Sequence, residues 1–175
     1  TRGTNSASYG GGSYSSNTLT LTGSTLAGNS ASVGGGILSN GTLTLTGSTL
    51  TGNSASRGGG IYTYGDSPSA TLNNTIVAAN AAATGPDVYR SSGTLSGSHN
   101  LIGNGSGQTA FVHGVDGNLV GTAASPIDPR LGSAGRLLPG SPAINAGNNS
   151  LAVDALGNPL TVDRDGKQRI IYGTV

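Results

Sequence analysis

Cysteine, methionine and tryptophan are absent from this 175-residue chain, all seven acidic residues are aspartate, and only 9% of residues are charged and 4% aromatic. The missing cysteines exclude a disulfide framework, which suits an extracellular chain without thiols as well as a cytosolic one. Scarcity of large side chains excludes a thick, layered core. Eight Lys and Arg are scattered from Arg2 to Arg169 with a formal net charge of +1, so no basic patch is available to neutralise several phosphates and nucleic acid is not an expected partner. No apolar run approaches the roughly 18 residues of a membrane span, so direct membrane insertion is not expected. The opening TRGTNSASYGGG lacks Met, a basic n-region and an apolar h-region, and reads as an excised or processed segment.

What the chain does contain is glycine, 32 residues of it, and a repeat. NSASYGGG returns as NSASVGGG and NSASRGGG, and NTLTLTGSTLAGN returns as GTLTLTGSTLTGN, each at an offset of 24 residues. Two weaker copies follow, TIVAANAAATGPDVY and SHNLIGN. The series Asn5, Asn29, Asn53, Asn80 and Asn104 then counts about five turns. TLTLT alternates hydroxyl and leucine with period two, a strand signature that puts Leu19 and Leu21, then Leu43 and Leu45, on an inner face. A second apolar site recurs as Leu26, Leu50, Val77 and Leu101, and a third follows the glycines as Ile37, Ile61 and Val88. Gly, Asn and Ser separate them, giving three short strands per copy.

Such a unit buries its apolar side only by stacking on its neighbours, with equivalent residues in ladders about 4.8 Å apart. The expected fold is therefore all-β: a right-handed, single-stranded parallel β-helix of about five coils of ~24 residues, its hand taken from the general crossover preference. The GGG clusters turn corners, and stacked Asn amides bond along the axis. Residues 1–104 form the repeat coils. Beyond 105 the period is lost and prolines and charges appear, so 105–175 reads as irregular coils and a C-terminal cap of the same domain.

The succession GGGIxxxGTLTLTGSTLTGNSA, NTIVAANxxxxGPDVY, NLIGNGSG, NLVGTAASPIDPRL, LLPGSPAINAGN and DRDGKQRIIYGTV resembles the bacterial right-handed β-helix surface proteins. Those are related to the polymorphic outer-membrane protein repeats and to large secreted proteins with sorting anchors. The resemblance implies an exported, surface-attached or released structural or adhesive protein, with no enzymatic role.

Candidate chemistry is sparse. A polysaccharide lyase or hydrolase of this fold needs paired carboxylates, or calcium-binding carboxylates beside a Lys or Arg base, and the coils offer only Asp66 and Asp87. Asp163 and Asp165 in DRDG open like a calcium loop, but without any Glu to close one they read as an Asx-stabilised turn. His99 and His113 have no third ligand at a recognisable spacing. No catalytic residue, metal or cofactor is assigned. Tyr14, Tyr62 and Tyr89, with Leu38 completing the column, form an outward ladder that packs on itself or presents rings to sugars. The Thr18, Thr20, Thr22 and Thr42, Thr44, Thr46 columns raise ice binding, against which ordinary strand propensity on a solvated face accounts for threonine. The expectation is a non-enzymatic extracellular stalk, adhesin or assembly unit. Its possible partners are cell-surface glycans or itself, head to tail in a filament; polysaccharide binding or lyase-like action is the alternative.

Overall fold

The computed structural model describes residues 5–162 together with Gly166 and Gln168. The chain winds into a parallel β-solenoid. Its first coil carries β1 (Ser6–Tyr9), β2 (Ser13–Ser15), β3 (Thr18–Thr22) and β4 (Thr25–Ala27). The second repeats them as β5 (Ser30–Val33), β6 (Ile37–Ser39), β7 (Thr42–Thr46) and β8 (Thr49–Thr51). The third has β9 (Ile61–Thr63), β10 (Ser69–Asn73) and β11 (Ile76–Ala78), and the fourth β12 (Val88–Arg90), β13 (Thr94–Ser98) and β14 (Leu101–Ile102). A partial fifth turn contributes only β15 (Leu119–Val120).

Every one of these strands pairs in parallel with its equivalent one coil away, giving the sheets β2-β6-β9-β12, β3-β7-β10-β13 and β4-β8-β11-β14-β15. Register follows the inner face: Leu19, Leu43, Ala70 and Leu95 align, as do Leu21, Leu45 and Leu72. Ile37, Leu43, Leu45, Leu50, Ile61, Leu72, Val77, Val88 and Ile102 are wholly buried, and Leu19, Leu21 and Leu26 of the first coil pack on them from one side. Burying such side chains supplies roughly 1.5–3 kcal/mol each, the main return on ordering a chain this rich in glycine.

Several expectations need correction. There are about four coils, not five, because the chain shortens after β14 and closes only one more two-residue strand. Coils one and two have a fourth side, β1 with β5, which later coils continue as single bridges from Ser54 to Ala81 and from Arg57 to Thr84. Leu101 is not the inner residue of its strand: Val77 pairs with Ile102, and Leu101 continues the outer column of Thr25, Thr49 and Ile76. The same register puts Asn104 level with Ala79 instead of Asn80. Two adjacent apolar residues, Leu101 and Ile102, left the choice of inner face open to pattern reading, and a 25-residue coil settles it.

The segment after 105 does two things. Phe111, clasped by Gln108 through bonds to its N–H (2.7 Å) and carbonyl (3.1 Å), joins the end of the core. Residues 130–152 then run back along the outside of the β4-β8-β11-β14-β15 sheet. There Asn74 and Asn148 exchange two bonds of 2.8 Å, and Gly135 lies beside Thr25 and Thr49. Ile76 and Leu101 are outward yet apolar because this strap passes over their sheet.

The corners depend on close approach as much as on backbone freedom. A Cβ on Gly35 would lie 2.5 Å from the carbonyl oxygens of Gly59 and Ser54 in the next coil, so coils stack here only without a side chain. Gly23 differs: its φ is +58°, but nothing lies within 4 Å of the place its Cβ would take. Gly35→Ala is therefore expected to destabilise by about 3 kcal/mol or more through overpacking, and Gly23→Ala by only about 1–2 kcal/mol from its left-handed conformation. Thermal melts of the two variants compare them; equal losses would refute the close-packing account.

Candidate binding surface and internal ladders

Inside the corners, the Asn side chains form a continuous ladder. Asn29 Oδ1 accepts from Asn5 N–H at 3.4 Å. Asn53 Oδ1 accepts from Asn29 N–H at 3.0 Å and from its Nδ2 at 2.9 Å, and Asn80 Oδ1 accepts the same pair from Asn53. The remaining amide protons of Asn53 and Asn80 go to the carbonyls of Leu26 and Leu50. Each rung thus satisfies buried backbone and side-chain groups of the coil before it.

Asn104 is not the next rung. Its Oδ1 turns to the Ser106 N–H in an Asx turn, and the ladder ends instead on Asp87. Asp87 Oδ1 accepts from Asn80 N–H (3.0 Å) and Nδ2 (2.9 Å), while Oδ2 accepts from Asn104 N–H at 2.5 Å. The register explains the substitution. Gly12, Gly36 and Gly60, the third glycines of the three GGG corners, each border the amide of Asn29, Asn53 or Asn80, and Asp87 stands where the following corner reads GPDV. A carboxylate only accepts, so it closes a chain of amides that arrives donor first. Asp87 is 1% exposed, and burial pushes its pKa up, against the opposing pull of the bonds from Asn80 and Asn104.

A second internal ladder escaped pattern reading. Ser24, Ser48, Thr75, Asn100 and Asn118 stand one per coil before the strands of the third sheet, and from Ser48 onward each side-chain oxygen accepts the N–H of the preceding rung, at 3.2, 3.5, 3.0 and 3.0 Å. The available signal was the polar residue before each apolar pair: Ser-Thr-Leu twice, then Thr-Ile-Val, Asn-Leu-Ile and Asn-Leu-Val. It was hidden because the column changes chemistry from hydroxyl to amide.

On the outside, Tyr14, Leu38, Tyr62 and Tyr89 align as one column. The rings of Tyr62 and Tyr89 are 5.1 Å apart and tilted by 37°, Tyr64 sits 5.8 Å from Tyr62, and the hydroxyls of Tyr64 and Tyr14 are 3.3 Å apart. That bond, more than burial, holds the Tyr64 phenol above its ordinary pKa. A neighbouring column on the other side of the glycine corner carries Tyr9, Val33 and Arg57. Tyr9 and Tyr14 are 64% and 52% exposed, so these rings are only partly spent on one another. Five of the chain's six tyrosines lie on this edge.

Compared with protein-family models, with curated proteins and with solved structures, the chain matches none of them.

The other candidates do not converge. Asp66 is exposed, Asp87 is committed to the ladder, and no group of three His, Cys, Asp or Glu able to hold a metal occurs among the described residues. His113 Nδ1 accepts the Val120 N–H at 3.1 Å, whereas His99 lies against Gly117 with its Nδ1 buried and unbonded. Asp163 and Asp165 lie outside the described residues. The hydroxyl columns extend over four coils through Ser69 and Thr71 to Thr94 and Ser96, where Thr94 bonds Ser69 and Thr71 bonds Ser96. A groove of about 620 Å³ runs between the third sheet and the strap, bordered by Asn74, His99, Asn100, Arg136, Asn145 and Asn148.

Two expectations follow from the ladder. Asn53→Ala strands the backbone and side-chain N–H groups of Asn29 and removes the Nδ2 donor to Asn80 and to the Leu26 carbonyl, leaving only the backbone N–H of residue 53 on Asn80, so it is expected to cost at least the ~1–3 kcal/mol of an unsatisfied buried group; chemical denaturation reads this directly, and an unchanged midpoint refutes the ladder. Asp87 also makes stability depend on pH. Because its folded pKa is raised above the unfolded value, its contribution is complete below the ordinary carboxylate pKa and is lost as pH rises through the raised value. Melting temperatures of the wild type and Asp87→Asn between about pH 4 and pH 7 should show the wild type's relative stability falling as pH rises. A pH-independent difference would exclude Asp87 as the titrating group.

Proposed function

We propose that this chain is a non-enzymatic structural or adhesive module of an exported bacterial surface protein, a rigid rod whose role is to hold a polar surface in place. The observation that supports it most is how the polar interior is used. Two ladders run through successive coils and end in Asp87 and Asn118, so the one deeply buried carboxylate among the described residues is bonded to three N–H groups of the fold. Chemistry on acidic sugars needs carboxylates free to hold calcium or move protons.

The resemblance of the repeat to secreted β-helix surface proteins supports the extracellular assignment. The end of the stack formed by β2, β3 and β4, where Leu19, Leu21 and Leu26 are packed on one side among the described residues, is the face through which the rod would join a second copy.

Fractionation of producing cells, with surface labelling of intact cells by an antibody to the folded chain, tests the location. Incubation with pectate and alginate tests the chemistry. Surface labelling without release of unsaturated products is the expected result. A protein confined to the cytosol, or one that cleaves either polymer, would overturn the proposal.

A further inference from the structure

We propose that the tyrosine edge is a binding platform for an extended, linear polysaccharide lying parallel to the solenoid axis. The inference adds a ligand to the rod described above and does not depend on where the rod is located.

Three observations carry it. The first is concentration: a chain with 4% aromatic residues places five of its six tyrosines on a single edge. None of the five is in the buried core, and two of them are more than half exposed. The second is pitch. Tyr14, Leu38, Tyr62 and Tyr89 occupy consecutive rungs, so the column repeats at the inter-strand spacing of ~4.8 Å and spans about 14 Å over its three steps. A linear chain of sugar rings laid along this column meets a tyrosine at three of its four rungs, whereas a globular ligand would touch one or two. The tyrosine rings offer what a pyranose recognises, a flat apolar face for its C–H groups and a hydroxyl at the rim for its own hydroxyls.

The third is the surrounding relief. Gly34, Gly58 and Gly85 form the corner beside this column, and a Cβ on any of them would lie 2.6–2.7 Å from the Cβ of Leu38, Tyr62 or Tyr89. The three glycines are themselves buried, and no side chain rises from them beside the rings. Across it stands Arg57, exposed and with no side-chain hydrogen bond among the described residues, within reach of carboxylates on an acidic chain. Leu38, in the rung between Tyr14 and Tyr62, is only 2% exposed and interrupts the column, and the hydroxyls of Tyr14 and Tyr64, 3.3 Å apart, link the rings on either side of it.

Titration calorimetry with two series of oligosaccharides, neutral cello-oligosaccharides and acidic oligogalacturonates, tests this on the whole chain. Affinity is expected to climb with length up to about four sugar residues, the number of rungs in the column, and then level off. Tyr62→Ala and Tyr89→Ala are each expected to weaken binding roughly two- to tenfold. Near-ultraviolet dichroism and melting confirm that each variant remains folded. Binding of either series with this length dependence supports the proposal. Absence of binding to both series overturns it, as does acidic-chain binding that survives both tyrosine substitutions and is lost in Arg57→Gln. If the tyrosine variants lose stability in a protein that binds neither series, the rings serve only to pack on one another.

Discussion

Everything in this molecule depends on keeping equivalent residues of successive coils at the same level. Parallel pairing fixes that level strand by strand, but strands of two to five residues hold few bonds each and would slip without a second constraint. The internal ladders provide it. An Asn that is one position out of step cannot give its Oδ1 to the N–H groups of its neighbour, so a register error in one strand costs bonds in a different part of the coil. This allows long corners such as Tyr64–Pro68, which stretch the third coil to 27 residues between Asn53 and Asn80, without disturbing the stack on either side.

The parts of the fold that were legible in the sequence are those that repeat without change. TLTLT, GGGI and the Asn at offset 24 give the parallel stack, the inner leucines and the first ladder as far as Asn80, because identical residues at equal spacing make identical contacts. Legibility fails at the fourth coil, where one residue more than the expected spacing moves Leu101 outward and takes Asn104 off the ladder. It fails again for the second ladder, since Ser, Thr and Asn share a task that a search for identity does not detect. The strap over the third sheet left a trace that needed the correct register to be seen: Ile76 and Leu101 occupy outward positions that carry Thr25 and Thr49 in earlier coils, and such apolar residues call for a cover.

Outer surfaces are divided by side. The β3-β7-β10-β13 face presents hydroxyls that bond among themselves, the β4-β8-β11-β14-β15 face lies beneath the strap, and the β2-β6-β9-β12 face carries the tyrosines. The tyrosine column was visible in the sequence at Tyr14, Tyr62 and Tyr89, but Tyr9 and Tyr64 joined it only through the geometry of the corner. Neither falls at the repeated position. A solenoid therefore gathers on one edge residues whose sequence separations share no period.

Asp87 gives the first ladder a direction. Along Asn29, Asn53 and Asn80 every amide points the same way, donor toward the later coil, so their dipoles add as peptide dipoles do along a helix. The carboxylate stands at the positive end of that row, as an acidic side chain does at a helix N-terminus. At the opposite end Asn5 still has an acceptor to offer a preceding rung. Duplication of the 24-residue unit can thus lengthen the rod on the Asn5 side with no new chemistry, whereas a coil inserted beyond Asp87 would meet a charge where it needs an amide. The Asn ladder can thus be extended past Asn5 but not past Asp87, the aspartate that stands in the place of a corner glycine.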